Sequence, residues 1–304
     1  MGMCVSAAAL TAVPLSAAEA KVAVFACVPE WASLAKAIGG DAVEVTLASS
    51  ALENPEGIKP TPALIADLQK ADLIVCTGAG LEEGWLDQML DRAANPKVTA
   101  GAPGHFLASS FVKLQEDHHG GAKEKGHLHG EGNPHIQGDP RNVQKVAAQL
   151  AKRLSAIDAA NKAVYAENAK TFIRDLDKLT KDLAKKAAPL KGVHIAVQHE
   201  HSLYLLEWLG IEAAATVEPE PGIPPGPQHL TKIIDSVAKQ KMKFVVHAAY
   251  EDPSPSKFVG EKSGIPLVKL PFTVGGTPEA KDFFGFYEDS VTRLLDGLSG
   301  RERS

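Results

Sequence analysis

The chain has 304 residues, 44% of them hydrophobic and 23% charged, with a formal net charge of -5. That length accommodates two ordinary domains, and the composition is globular rather than fibrous or disordered. The acidic balance argues against a nucleic-acid partner, which favours a basic face, and no apolar run reaches the ~20 residues of a membrane-spanning helix.

Residues 1–20 are small and apolar and end in Ala18-Glu19-Ala20, the pattern of a secretory signal peptide lacking its basic n-region. The remainder is therefore expected to be exported, soluble and periplasmic. Of three cysteines, Cys4 leaves with the leader, while Cys27 and Cys76 each close an apolar strand-like run. Two cysteines are too few for a disulfide scaffold or a zinc–cysteine site, and leave open a single bridge or two buried thiols.

After the leader, residues 21–28 read as a buried strand and 30–38 as a helix stopped by Gly39-Gly40. Residues 43–47 form the next strand, followed by a Pro/Gly/Asn-rich loop over 53–62. Thr61 caps a helix over 62–70 with Pro62 in its first position, and 72–76 is a third strand. Thr77-Gly78-Ala79-Gly80 then turns into a helix containing Glu82, Glu83 and Trp85. Strands alternating with helices in short units predict a parallel, doubly wound sheet.

Residues 116–142 differ in kind. They hold His118, His119, His127, His129 and His135, five of the 11 histidines, among acidic residues, glycines and lysines. A tract of this composition reads as metal-binding. From 140 to about 190 the pattern is helical, with Asp139 as cap. Unbroken, ~50 residues would make a ~75 Å rod, so a break near Asn161 or a spine crossing two lobes is required. The second half repeats the alternation, with strands over 194–197, 244–247 and 266–270 and helices over 203–209, 231–239, 257–263 and 283–298. The expected fold is α/β, two lobes with parallel-type sheets flanked by helices and joined by a long spine helix. The N-terminal lobe covers 21–138 including the His-rich loop 116–131, the spine 139–190 and the C-terminal lobe 191–304.

Ligands of open α/β sheets sit beyond the carboxyl ends of the strands. Glu56 follows the second strand, His135 precedes the spine, His199 follows the strand over 194–197, and Glu251 and Asp252 follow the strand ending at His247. Any one of these alone is more often structural or solvated. Together, two imidazoles and one or two carboxylates suit a first-row divalent metal.

Asn133-Pro134-His135-Ile136-Gln137-Gly138-Asp139-Pro140-Arg141-Asn142 resembles the DPHxWxDPxN signature of cluster A-I metal-binding proteins, the ZnuA/TroA-like solute-binding subunits of zinc and manganese ABC importers. The His-rich insert ahead of it is similar to that of the zinc-specific members. Further motifs follow in family order: Leu81-Glu82-Glu83-Gly84-Trp85-Leu86, Tyr165-Ala166-Glu167-Asn168, His199-Glu200-His201-Ser202-Leu203-Tyr204 and Val274-Gly275-Gly276. The resemblance implies His135 and His199 as metal ligands, with Glu56 standing where the family has a histidine. The acidic fourth ligand of many manganese members falls near Val274, which cannot bind metal. Glu251, Asp252, Glu82, a loop histidine or water are the alternatives for the fourth position, with His118, His119, His127 and His129 as accessory loop sites.

The expectation is thus a monomeric binding protein, not an enzyme, that captures Zn2+ in preference to Mn2+ or Fe2+ and delivers it to a membrane permease. A metallohydrolase would use the same metal to activate water, but no H-E-x-x-H or nucleophile elbow occurs. A buffer protein, in which only the His-rich loop matters, is the third alternative.

Overall fold

The structure, a computed structural model, describes residues 20–115, 132–220 and 222–301. Residues 1–19 of the expected leader, and His118, His119, His127 and His129, lie outside the described residues.

The N-terminal lobe runs β1 (Val22–Ala26), α1 (Pro29–Gly39), β2 (Val43–Leu47), α2 (Pro62–Lys70), β3 (Leu73–Cys76), α3 (Leu86–Ala93) and β4 (His105–Leu107). Its sheet has the order β2-β1-β3-β4, with every ladder parallel. Two helices follow, α4 (Pro140–Ile157) and α5 (Lys162–Lys186). The C-terminal lobe then runs β5 (His194–Val197), α6 (Leu203–Leu209), β6 (Glu212–Thr216), α7 (Pro227–Gln240), β7 (Val245–Ala248), α8 (Ser254–Ser263), β8 (Leu267–Leu270) and α9 (Phe283–Leu298). Its sheet, β6-β5-β7-β8, repeats the winding of the first and is again parallel throughout. The expected two-lobed α/β architecture is therefore what the chain adopts.

Three local features bear on the expectations. First, the break expected near Asn161 is present, so the helical stretch after Asp139 is two packed helices and not one unbroken rod. Asp158 breaks it by accepting from Tyr165 Oη at 2.6 Å and Asn161 Nδ2 at 2.8 Å, so side chains take over where the helix stops. A four-residue connection between packed helices makes an antiparallel hairpin, which leaves α5, at ~38 Å for its 25 residues, as the element crossing between lobes. Second, no helix includes Glu82, because Gly78, Ala79 and Gly80 all take positive φ (77, 53 and 86°) and form a turn that delays α3 to Leu86. Third, β4 and β6 lack a clear signal: one has three residues, and the other, Glu-Ala-Ala-Ala-Thr, is alanine-rich and poor in strand formers.

Strand alternation divides the interior into three parts. Val22, Val24, Leu73 and Val75 of the first sheet and Ile195, Val197, Val246 and Val268 of the second point into one continuous core. That core is filled by α1, α4, α5, α6 and α9, including Trp31, Leu150, Tyr165, Phe172, Phe283 and Tyr287. The opposite face of the first sheet, with Phe25, Cys27, Ile74 and Cys76, packs on α2 and α3. Ala196 and Val245 of the second sheet pack on α7 and α8.

The lobes also meet through specific contacts. Asn168 Nδ2 of α5 donates to Ile38 O at 2.9 Å, and Phe172 of the same helix stacks edge-on against Phe283 of α9. Thr273 Oγ1 in the C-terminal lobe donates to Glu30 Oε2 at the start of α1, with both residues buried. Burial pushes the Glu30 carboxyl up to about 7 against the lowering effect of Thr273, and nearby Glu82 adds to the rise.

Cys27 and Cys76 form a disulfide across the carboxyl ends of β1 and β3, with Cα atoms 4.9 Å apart and a sequence separation of 49. Closing a loop of that length removes ~4 kcal/mol of unfolded-chain entropy. The double Cys27→Ala, Cys76→Ala variant is expected to lose ~2–4 kcal/mol of unfolding free energy in urea titration. Glu30 gives a second expectation. Below the ordinary carboxyl value of 4.5 folded and unfolded chains both hold its proton; as pH rises towards 7 the unfolded chain ionises first and stability is lost across that window. Glu30→Gln should match wild type near the low end and exceed it by ~1–3 kcal/mol at roughly pH 8.

Candidate metal centre

Three separate segments bring Glu56, His135 and His199 together, with one ligand atom from each inside 4.8 Å of the others. Two ligand atoms on a tetrahedral ion with bonds of ~2.0–2.2 Å stand ~3.3 Å apart. The trio, gathered inside 4.8 Å, is compatible with such a spacing. Among the described residues the one other such group is Cys27, Cys76 and Glu82, whose sulfurs are consumed in the disulfide.

Each of the three is held by its backbone surroundings. Glu56 sits in a short turn, Pro55–Gly57, where Asn54 Oδ1 accepts from Glu56 N at 3.0 Å. The buried Trp85 donates from Nε1 to Pro55 O at 2.8 Å and fixes that loop from below. His135, 2% exposed, lies in the turn before α4, with its backbone N–H donated to Asn133 Oδ1 at 2.9 Å. Asn133 is anchored in turn: its Nδ2 donates to Glu200 O at 3.1 Å and its carbonyl accepts from Tyr204 Oη at 2.8 Å. Gly138 permits the approach, because a Cβ there would stand 3.0 Å from Leu205 N and 3.2 Å from Tyr204 Cβ of α6. His199 lies two residues beyond the end of β5, and the intervening Gln198 bonds Asp252 O and Ser256 Oγ, tying the end of β5 to the loop after β7 and to α8.

His199 Nδ1 lies 2.8 Å from Glu218 Oε2, just beyond β6. With Nδ1–H donated to that carboxylate, Nε2 carries the lone pair, the arrangement by which a carboxylate orients a metal-binding imidazole. Burial pulls the His199 imidazole down, but the Glu218 hydrogen bond and the charges of Glu218, Glu251 and Glu56 together outweigh it and leave it above its ordinary value. Around the imidazoles the walls are aromatic. Phe272 stands edge-on to the rings of both His135 and His201, 5.5 Å from each, and Tyr250 packs on Phe272 at 5.1 Å.

The remaining expected residues divide. Glu251 lies beside the cluster with its Oε2 accepting from Ala248 N and facing His201 Nε2 at 3.4 Å. Asp252 stands outside: it is exposed, and its Oδ1 accepts from Ser254 N and Oγ at the start of α8. Glu82 also stands outside, because its carboxylate accepts from Thr77 N and Gly78 N at 2.7 and 2.8 Å and so builds the turn that carries Trp85. Burial pushes Glu82 up to about 7 despite those bonds.

Glu218, Trp85, Phe272 and Tyr250 join the site without being marked by residue type and order. Glu218 carries a signal, since it follows a strand as the ligands do, but the alanine-rich β6 hides that strand. Trp85 was visible in its motif without any hint that it reaches Pro55.

A family profile described as the periplasmic zinc-uptake complex component A, ZnuA, matches residues 24–297. The manganese ABC transporter substrate-binding lipoprotein PsaA of Streptococcus anginosus is 25% identical over 276 residues, covering 88% of this chain and 86% of that one. The iron ABC transporter substrate-binding lipoprotein MtsA of Streptococcus pyogenes serotype M1 is 24% identical with the same coverage. Among solved structures, a crystal structure of ZnuA superposes with a TM-score of 0.75 at 21% identity, over 91% of this chain and 99% of that one. The manganese-bound periplasmic metal-binding protein of Candidatus Liberibacter asiaticus gives 0.73 at 18%, over 90% and 98%. At such identities the structural likeness speaks for the fold.

The His199–Glu218 pair gives a direct expectation. In wild type the His199 imidazole should titrate above the ordinary ~6.5, followed by its ring nitrogen shifts. In Glu218→Gln only burial and the more distant charges act, so the midpoint should fall; an unchanged midpoint would remove Glu218 as the cause.

Proposed function

This chain belongs to the ZnuA family of metal ABC transporter substrate-binding proteins, and from that premise we propose that it captures a divalent cation at Glu56, His135 and His199. Zinc is the preferred cargo, and the receiver is the membrane permease of an ABC importer. The observation that carries this reading is the convergence of those three donors, two of them buried imidazoles, from three separate segments. Two imidazoles favour zinc over manganese or iron in the ordinary affinity order of divalent ions. The metallohydrolase reading falls with membership of a transport family. The relatives are described as periplasmic or as lipoproteins, and no helix among the described residues is long and apolar enough to cross a membrane. We place the protein in the periplasm as a soluble monomer.

A manganese or iron cargo is the second reading. It draws on the carboxylate of Glu56, a harder donor than imidazole, and on the manganese and iron transport named for the relatives PsaA and MtsA. In either case the cation meets donors from both lobes: Glu56 from the N-terminal lobe, His199 from the C-terminal lobe and His135 from the crossing between them. Glu218 and Glu251 add negative charge nearby, which draws a cation in and keeps it partly neutralised. His118, His119, His127 and His129 supply weak accessory sites whose tether to Gln115 and Asn133 keeps their local concentration high, on the order of millimolar.

Competition titration of zinc against manganese on the purified chain tests the reading. One tight site with zinc ahead is expected, and His135→Ala with His199→Ala should abolish it. Deleting residues 116–131 should lower the stoichiometry and leave the tight site intact. Full affinity in the double variant, or loss of the tight site on loop deletion, would overturn the assignment.

A further inference from the structure

Glu56, His135 and His199 are three donors, and a closed tetrahedral site has four. His201 lies two residues beyond His199, its side chain 2% exposed, so its nitrogens are answered inside the protein. Its Nδ1 lies 2.7 Å from Ser202 Oγ and its Nε2 3.4 Å from Glu251 Oε2. The first is a good hydrogen bond. The second is longer than the ~2.7–3.2 Å of an ordinary N–H···O bond, and contrasts with the 2.8 Å between His199 and Glu218. One imidazole is thus locked to its carboxylate, and the other only rests against one.

The rings themselves form a cluster. Their centroids are 5.9 Å apart for His135 and His199, 5.7 Å for His199 and His201, and 6.3 Å for His135 and His201. Three imidazoles on one tetrahedral ion have centroids ~5 Å apart, so the triangle is wider than a tris-imidazole set, and His201, which stands outside the 4.8 Å grouping of Glu56, His135 and His199, would join the ion by an inward turn of its ring. Phe272 packs edge-on against the rings of His135 and His201 and holds both on one wall.

We propose that His201 is the fourth metal ligand, giving three imidazoles and the Glu56 carboxylate, and that it decides the choice of zinc over manganese. The proposal rests on the reading of Glu56, His135 and His199 as the binding cleft. With Nδ1–H donated to the Ser202 hydroxyl, Nε2 carries the lone pair and turns from Glu251 towards the ion. Glu251 keeps its backbone bond to Ala248 N and stays behind as a neighbouring negative charge. A third imidazole moves the donor set towards zinc, because manganese suits carboxylate and carbonyl oxygens better.

The test uses the full-length chain, nitrogen-labelled at histidine and loaded with less than one equivalent of spin-active cadmium. Three imidazole nitrogens should couple to the metal, and one of those couplings should vanish in His201→Phe, which keeps a ring against Phe272. Zinc affinity in that variant should fall by more than the ~10–100-fold typical of losing an outer partner, and manganese affinity by much less. Glu251→Gln should retain all three couplings. Thermal melts of the unloaded variants check the fold, and if His201→Phe does not fold, the wild-type coupling count and His201→Asn decide instead. Two coupled imidazoles in wild type, or couplings that survive in His201→Phe but not in Glu251→Gln, would overturn the role of His201. Absence of coupling at His135 and His199 would overturn the cleft reading as well, a distinguishable failure.

Discussion

The two lobes share one apolar core, and the positions of all the candidate ligands depend on that sharing. Residues of both inner sheet faces, and of the helices between them, form a single buried cluster. A large apolar side chain contributes ~1.5–3 kcal/mol on burial, so separating the lobes widely would expose many such contributions at once. The 25-residue α5 reinforces this, since neighbouring residues on one of its faces touch both α1 and α9. The candidate ligands are therefore carried on a frame in which both lobes share one buried core.

The frame also sets the electrostatics. Three imidazoles lie close to the carboxylates of Glu56, Glu218 and Glu251 in a setting partly walled by Phe272 and Tyr250. Aromatic walls exclude water, which strengthens every charge interaction inside them. The tyrosine hydroxyl feels this directly: burial and the charges of Glu251, Glu56 and Glu218 push Tyr250 well above its ordinary range. A divalent cation is the natural complement to such a set of acidic groups.

Much of this was readable from residue order. Alternating apolar runs with Gly and Pro punctuation mark six of the eight strands among the described residues, and the two that escape, β4 and β6, are a three-residue strand and an alanine-rich one. The carboxyl-end rule for parallel sheets singled out Glu56, His135 and His199, because each follows or precedes an element with a clear pattern. Asp252, named by the same rule, and Glu82, an alternative for the fourth ligand, are engaged elsewhere. Both also follow strands, but each carboxylate is engaged by local backbone amides, which residue type and order do not reveal. Glu218 and Trp85 were missed for the converse reason. Their roles come from contacts made 19 and 30 residues away in sequence, and no periodicity encodes such a distance.

The reach of the shared core has a consequence for how the molecule comes into being. Glu30, in the first helix, is bonded to Thr273, 243 residues later, and Trp31 beside it packs near Phe283 at the start of the last helix. The first sheet is complete by Leu107, yet its inner face is not fully covered until α4, α5 and finally α9 exist. During synthesis the chain therefore keeps an apolar face open until α9 has been made. Contacts of such long sequence separation form slowly, since loop-closure entropy comes before the reward of packing. The inner face of the first sheet is thus fully covered only when α9 is in place.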